Sequence, residues 1–249
     1  MFTGIGTVVN TGAILLGGIL GLLLKKGINE KLQEMVTKAL GLCVIFIGSI
    51  GVFTGLLYID GGAIKSHGIN EIMILIGSIV IGSVIGELIN IEKRLENVGA
   101  WLKKKVKAKE NDRFIEGFVD CFLITCVGAM TILGAFNDAL LHDPSTLFIK
   151  SILDGIILIV LTSSMGIGCI FSAIPLFIYQ GLLTLLAGVI SPWVIGTPQL
   201  TQFSYVGSIL VFAIGINLTF GKKIRVGNMI PALFIPFIWA LIRFVFSIS

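Results

Sequence analysis

Residues Gly117–Gly188 read GFVDCFLITCVGAMTILGAFNDALLHDPSTLFIKSILDGIILIVLTSSMGIGCIFSAIPLFIYQGLLTLLAG. The stretch is apolar enough to lie in a membrane. It nevertheless contains Asp120, Asn137, Asp138, Lys150, Asp154 and Gln180. A charged side chain at the centre of a membrane helix costs about 3 kcal/mol or more, and such residues face a partner or a water-filled cavity. Several in one segment point to a role beyond folding.

The rest of the chain has the same character. Of its 249 residues, 55% are hydrophobic and 13% charged, and the mean hydropathy is +1.03. A soluble domain carries about 25% charged residues. Successive apolar runs approach or exceed the roughly 20 residues that cross a bilayer. The composition therefore predicts an all-α, polytopic membrane bundle forming a single domain over residues 1–249. Eight spans are expected, at about 5–24, 37–58, 71–90, 115–136, 147–165, 168–190, 203–220 and 228–247. The N-terminus lacks a basic region and a small-residue cleavage site, so the first run reads as a retained span.

Charge distribution orients these spans. With the N-terminus outside, 15 of the 18 basic residues fall on inner loops, the exceptions being Lys65, Lys150 and Arg243. Cytoplasmic loops carry such an excess of Lys and Arg. Both termini are expected outside the cytoplasmic membrane. The net charge of +4 is thus a matter of topology, and no nucleic-acid partner is implied. Cys43, Cys121, Cys126 and Cys169 lie in apolar runs and read as packing residues.

Gly17-x-x-x-Gly21 in the first span lets another helix approach closely, as do Gly77, Gly82 and Gly86 in the third. The same glycine-rich faces could join copies of the chain into a homo-oligomer. Ile-Gly-Ser-Ile at 47–50 and 76–79, with Val-Gly-Ser-Ile at 206–209, hints at internal duplication. Residues 91–110 differ: Ile91, Leu95, Val98, Trp101, Leu102 and Val106 recur among charges. This spacing predicts an amphipathic helix on the cytoplasmic face, with Trp101 at headgroup level. Pro175 and Pro236 are expected to kink their spans.

On a straight helix, Gly117, Asp120, Cys121, Ile124, Gly128, Thr131, Ala135 and Asp138 fall within about a 100° arc. That face either packs closely on a neighbour or lines a cavity. Asp120 reads as part of an ion path or as a structural carboxylate. Lys150 and Asp154, four residues apart, share one helix face with Ser151. They form either a cation or proton site, in which Lys150 competes with the bound ion, or an intrahelical ion pair. Gln180 follows Pro175 by five residues, and the proline frees a carbonyl near Phe171 and Ser172. Broken helices with free carbonyls bind ions in transporters. Asn10 lies near the outer end of the first span.

The segments GTVVNTGAILLGG (6–18), IGELINIEKRLENVG (85–99), FIEGFVDCFLITCVGAMTILGAFNDALL (114–141), KSILDG (150–155), FSAIPLFIYQG (171–181) and GNMIPAL (227–233) resemble the YqgA-like bacterial membrane proteins, domain of unknown function 554. The resemblance covers almost the whole chain. It implies a membrane protein of a family carrying the label of a sodium channel or pump, and it brings no catalytic residues. Related sequences tend to have Asp-Gly after the fourth-span motif. Asn137-Asp138-Ala139 stands here instead.

The leading expectation is transport of a small cation, Na⁺ or coupled to H⁺. Asp154, Lys150, Ser151, Asp138 and Asn137 would form its outer-to-central path and Asp120 its inner part. Gln180, Ser172 and Asn10 would supply neutral ligands. Carboxylate, hydroxyl and carbonyl oxygens suit a hard cation. A second expectation is a small organic solute, such as an amino acid or carboxylate, held by Lys150. A third is a non-transport role through helix 91–110. No enzyme and no cofactor are expected, since no phosphate-cradling loop or catalytic set is recognisable.

Overall fold

The computed structural model describes residues 2–25, 29–60, 63–66, 68–108, 113–126, 129–194 and 197–246. Lys26, His67, Lys109, Gly128 and Gly196, and the side chains of Trp193 and Arg243, lie outside the described residues.

Helices α1 (Ile5–Lys25), α2 (Glu30–Leu56) and α3 (Ile69–Ile89) correspond to the first three expected spans. Helix α4 (Ile91–Lys105) is the amphipathic segment. The fourth span is α5 (Phe114–Cys126) and α6 (Ala129–Phe136), ending in a π-helical turn, Asn137–Leu141. Then come α7 (Ser145–Met165), a 3-10 stretch (Ile167–Ser172) leading into α8 (Ala173–Val194), and α9 (Pro198–Phe220). A 3-10 stretch (Val226–Phe234) leads into α10 (Ile235–Phe246). Among the described residues, six helical segments are long and apolar enough to cross a membrane and the bent α5–α6 pair makes a seventh, one fewer than the eight expected. The last apolar helix, Val226–Ile242, is shorter.

Three details differ from the sequence reading. The loop after α2 contains an antiparallel hairpin, β1 (Leu57–Asp60) with β2 (Ala63–Ser66), in the register Leu57↔Ser66 and Asp60↔Ala63. Positions 61 and 62, both glycine, lie outside the described residues. Pro175 and Pro236 sit in the first turns of α8 and α10, where a missing N–H costs little. The backbone changes instead from 3-10 to α just before each. Third, α5 meets the following helix at 58°, so the fourth span is not one straight cylinder.

Close backbone approach organises the bundle. Helices α2 and α9 run antiparallel. A Cβ at Gly41 would strike Thr219, one at Gly48 Phe212, one at Gly51 Ser208 and one at Gly55 Tyr205. Helices α1 and α7 run parallel, with Gly17 against the Gly155 carbonyl and Gly21 against that of Ile159. On α3, Gly82 and Gly86 rest on Ala232 and Asn228. Small residues at such contacts supply the van der Waals packing that holds membrane helices together, since lipid is as apolar as the side chains. The Gly17/Gly21 and Gly82/Gly86 faces are thus occupied within the chain, while nothing lies within 4 Å of a Cβ at Gly77. The related strings at 47–50 and 206–209 fall on the opposed helices α2 and α9.

The core follows α9, where Phe203, Tyr205, Val206, Leu210 and Ile214 are buried. Leu16, Leu23, Phe46, Phe53, Val80, Leu185 and Val189 are exposed, as lipid-facing residues must be. Asn90 turns the chain from α3 into α4 with φ 56°, a left-handed conformation that Asn tolerates. Helix α4 then packs Gly99 against Phe118 and Ile115 and buries Leu102, leaving Trp101 exposed.

Candidate functional site

A buried polar cluster forms where α1, α7 and α8 meet. The i,i+4 spacing on α7 brings the Lys150 ammonium onto the Asp154 carboxylate, and the two residues are only 6% and 4% exposed. Asn10 of α1 stands beside that carboxylate and donates from Nδ2 to Gln180 Oε1 of α8 at 3.3 Å. One helical turn away, the Thr7 and Thr184 hydroxyls lie 3.4 Å apart. All four of these α1 and α8 residues are buried.

Two polar atoms in this cluster have no partner among the described residues: Asn10 Oδ1 and Gln180 Nε2. Exchanging the two amide orientations would leave the same inventory, one orphaned carbonyl oxygen and one orphaned amino group. An unsatisfied buried polar group costs about 1–3 kcal/mol. Native proteins rarely leave such groups without a role. The cluster is therefore an arrangement able to receive a ligand that supplies the missing interactions.

Asp138 closes the far end of α1. It is 1% exposed, and its Oδ2 accepts a hydrogen bond from Gly6 N at 2.9 Å. A carboxylate there complements the positive end of the helix dipole. The π-turn that carries it also holds Asn137, whose carbonyl accepts from His142 and Asp143 N–H groups. Ser151 and Ser172 are buried but committed, donating to the Leu147 and Cys169 carbonyls.

Asp120 is not part of this cluster. The break after Cys126 and the π-turn change the helical phase, so Asp120 and Asp138 do not share the arc that a straight helix gives them. Asp120 lines a cavity of ≈ 290 Å³ with Glu92, Glu96, Glu116, Asn217 and Lys222. Here Lys222 bridges Glu92 and Glu96, each at 2.6 Å. The Lys222 hydrogen bond holds the Glu96 carboxyl below the usual carboxylate range, against the opposing effect of burial. Glu87 pairs with Arg225 and accepts from Asn228 Nδ2 at 2.6 Å. Asn228 Oδ1 in turn accepts from Glu92 N at 2.7 Å. A neighbouring groove gathers Lys25, Lys38 and Arg113, so the basic loops share one end of the bundle.

The sequence reading missed Thr7 and Thr184, whose spacing to Asn10 and Gln180 on their helices was the available signal. It also missed Glu71, Gln202 and Tyr205, which meet between α3 and α9.

The fold and this cluster define a polytopic helical membrane protein with a buried polar centre. The chain belongs to the family described as "Protein of unknown function (DUF554)", whose model matches residues 5–241. It is 32% identical over 233 residues to the uncharacterized membrane protein YdfK of Bacillus subtilis (strain 168), covering 93% of each chain. It is 31% identical over 234 residues to the uncharacterized protein YqgA of Escherichia coli (strain K12), covering 92% of this chain and 93% of the relative. No solved structure matches the chain.

Proposed function

We propose that the protein transports a small cation, Na⁺ or coupled to H⁺, across the bacterial cytoplasmic membrane. The observation that carries this reading is the Asp154–Lys150 pair, enclosed with Asn10 and Gln180 at the crossing of α1, α7 and α8. An incoming cation competes with the Lys150 ammonium for the Asp154 carboxylate. Carboxamide oxygen completes its shell, a donor set suited to hard cations. The competition keeps affinity moderate, so the ion can leave as well as enter. The bent α5–α6 pair beside the cluster fits this reading, because transporters build central sites from broken helices. By the positive-inside rule the basic end faces the cytoplasm, which puts the N-terminus outside and, with Val226–Ile242 as an eighth crossing, the C-terminus as well.

The orphaned Gln180 Nε2 favours a second reading, a small organic solute with a carboxylate. Lys150 and the amide N–H groups would then bind its anionic end. Proteoliposomes containing the purified protein separate the two. An imposed Na⁺ gradient should drive cation flux in the first case. Only added amino acid or carboxylate should produce flux in the second. Liposomes that move neither contradict both readings.

A further inference from the structure

Glu71, in the first turn of α3, receives two donors from α9 at the end of the bundle opposite the basic loops. Gln202 Nε2 donates to Glu71 Oε2 at 2.7 Å, and the Tyr205 hydroxyl donates to the same oxygen at 3.1 Å. Gln202 and Tyr205 are buried, 4% and 1% exposed. Gly55 of α2 makes room for Tyr205, since a Cβ at that position would lie 2.5 Å from the ring. The carboxylate fixes the amide orientation of Gln202, since only the amino group can donate to it. Gln202 Oε1 is left buried without a partner. Both donors converge on Oε2, so Glu71 Oε1 accepts no hydrogen bond among the described residues. These residues line a cavity of ≈ 230 Å³ with Pro198 and Thr201.

Glu71 Oε1 and Gln202 Oε1 are thus two acceptors without a donor among the described residues, and the first belongs to a carboxylate. A cation satisfies both by coordination and also meets the carboxylate's charge. One carboxylate with neutral oxygens suits a monovalent ion, because Ca²⁺ sites recruit several carboxylates and Mg²⁺ retains most of its water. We propose that Glu71, Gln202 and Tyr205 form a second cation site, selective for a hard monovalent ion such as Na⁺. It lies between α2, α3 and α9, away from the Asp154 cluster, and does not depend on what that cluster does.

The test uses the full chain in detergent, with Asp154→Asn and Lys150→Met introduced to remove the central pair. Thermal stability is followed as NaCl replaces N-methylglucamine chloride at constant ionic strength. An ion bound only by the folded state raises stability with its concentration. The Na⁺-dependent rise should persist in this protein and vanish when Glu71→Gln is added. Gln202→Met, which removes the orphaned oxygen, should weaken the apparent affinity at least tenfold. The readout is the slope with Na⁺ rather than the melting point, so a destabilised variant remains informative. Should Glu71→Gln fail to fold, Gln202→Met carries the test. No Na⁺ response in the central-pair variant, or a response indifferent to both further substitutions, would overturn the site.

Discussion

The side chains of Asn10 and Gln180 meet at 3.3 Å where α1 crosses α8, and each retains one polar atom with no partner. Nothing in helix packing requires this arrangement. Apolar residues of similar shape would fill the space and avoid the desolvation of two carboxamides.

That comparison gives the first prediction. The double variant Asn10→Leu with Gln180→Met removes two orphaned groups but also the Asn10 side chain beside the Asp154 carboxylate, so its stability should stay within about 1–3 kcal/mol of the wild type. It should carry no flux. Thermal unfolding in detergent and transport in liposomes measure the two effects. A destabilised variant that still transports would assign the pair a purely structural role.

The second prediction concerns close packing. Gly48→Leu should destabilise the α2–α9 contact by about 1–3 kcal/mol or more, since Phe212 leaves no room for a side chain. Gly77→Leu, where a Cβ meets nothing within 4 Å, should change stability by no more than about 0.5 kcal/mol. Equal effects on melting temperature would contradict the packing assigned to α2 and α9.

The third prediction is a pH dependence at the basic end. Lys222 holds Glu96 below its usual value, so this contribution is complete at neutral pH and is lost as pH falls through the lowered value. The pair is partly exposed and worth no more than about 1 kcal/mol. Hydrogen-exchange protection factors in α4, taken against the intrinsic rate at each pH, should therefore fall modestly in the wild type once the pH drops below the usual glutamate range. In Lys222→Met they should already be lower at neutral pH and change less on acidification. Identical pH profiles would remove Lys222 as the tie between α4 and the α9–α10 connection.

The fourth prediction is topological. Tags at the C-terminus and in the loop of residues 58–70 should be reached by membrane-impermeant reagents from outside intact cells. A tag near Lys105 should not. A cytoplasmic C-terminus with the 58–70 loop still outside would overturn the eight-span count in favour of the seven long segments, and a cytoplasmic 58–70 loop would invert the orientation and exchange the two mouths of the proposed path.

The sequence disclosed what depends on local spacing. Apolar runs marked the spans, and the four-residue separation of Lys150 and Asp154 was enough to pair them. It did not disclose contacts set by helix crossing. Asn10 and Gln180 are 170 positions apart, and no periodicity links them. Glu71 and Gln202, 131 positions apart, met for the same reason without forewarning. The arc joining Asp120 to Asp138 failed because a helical projection assumes an unbroken helix. The 58° bend and the π-turn shift the phase between them.

The central claim is that Asp154 binds the transported cation in competition with Lys150. The most direct test is Na⁺ flux in proteoliposomes for the wild type, Asp154→Asn, and Asp154→Asn with Lys150→Met. The single variant leaves a buried ammonium unpaired and should lose about 3–5 kcal/mol of stability along with flux. The double variant removes that charge, so stability should return while flux remains absent. A double variant with normal flux and unchanged ion dependence would contradict the claim and reduce the pair to a structural ion bridge.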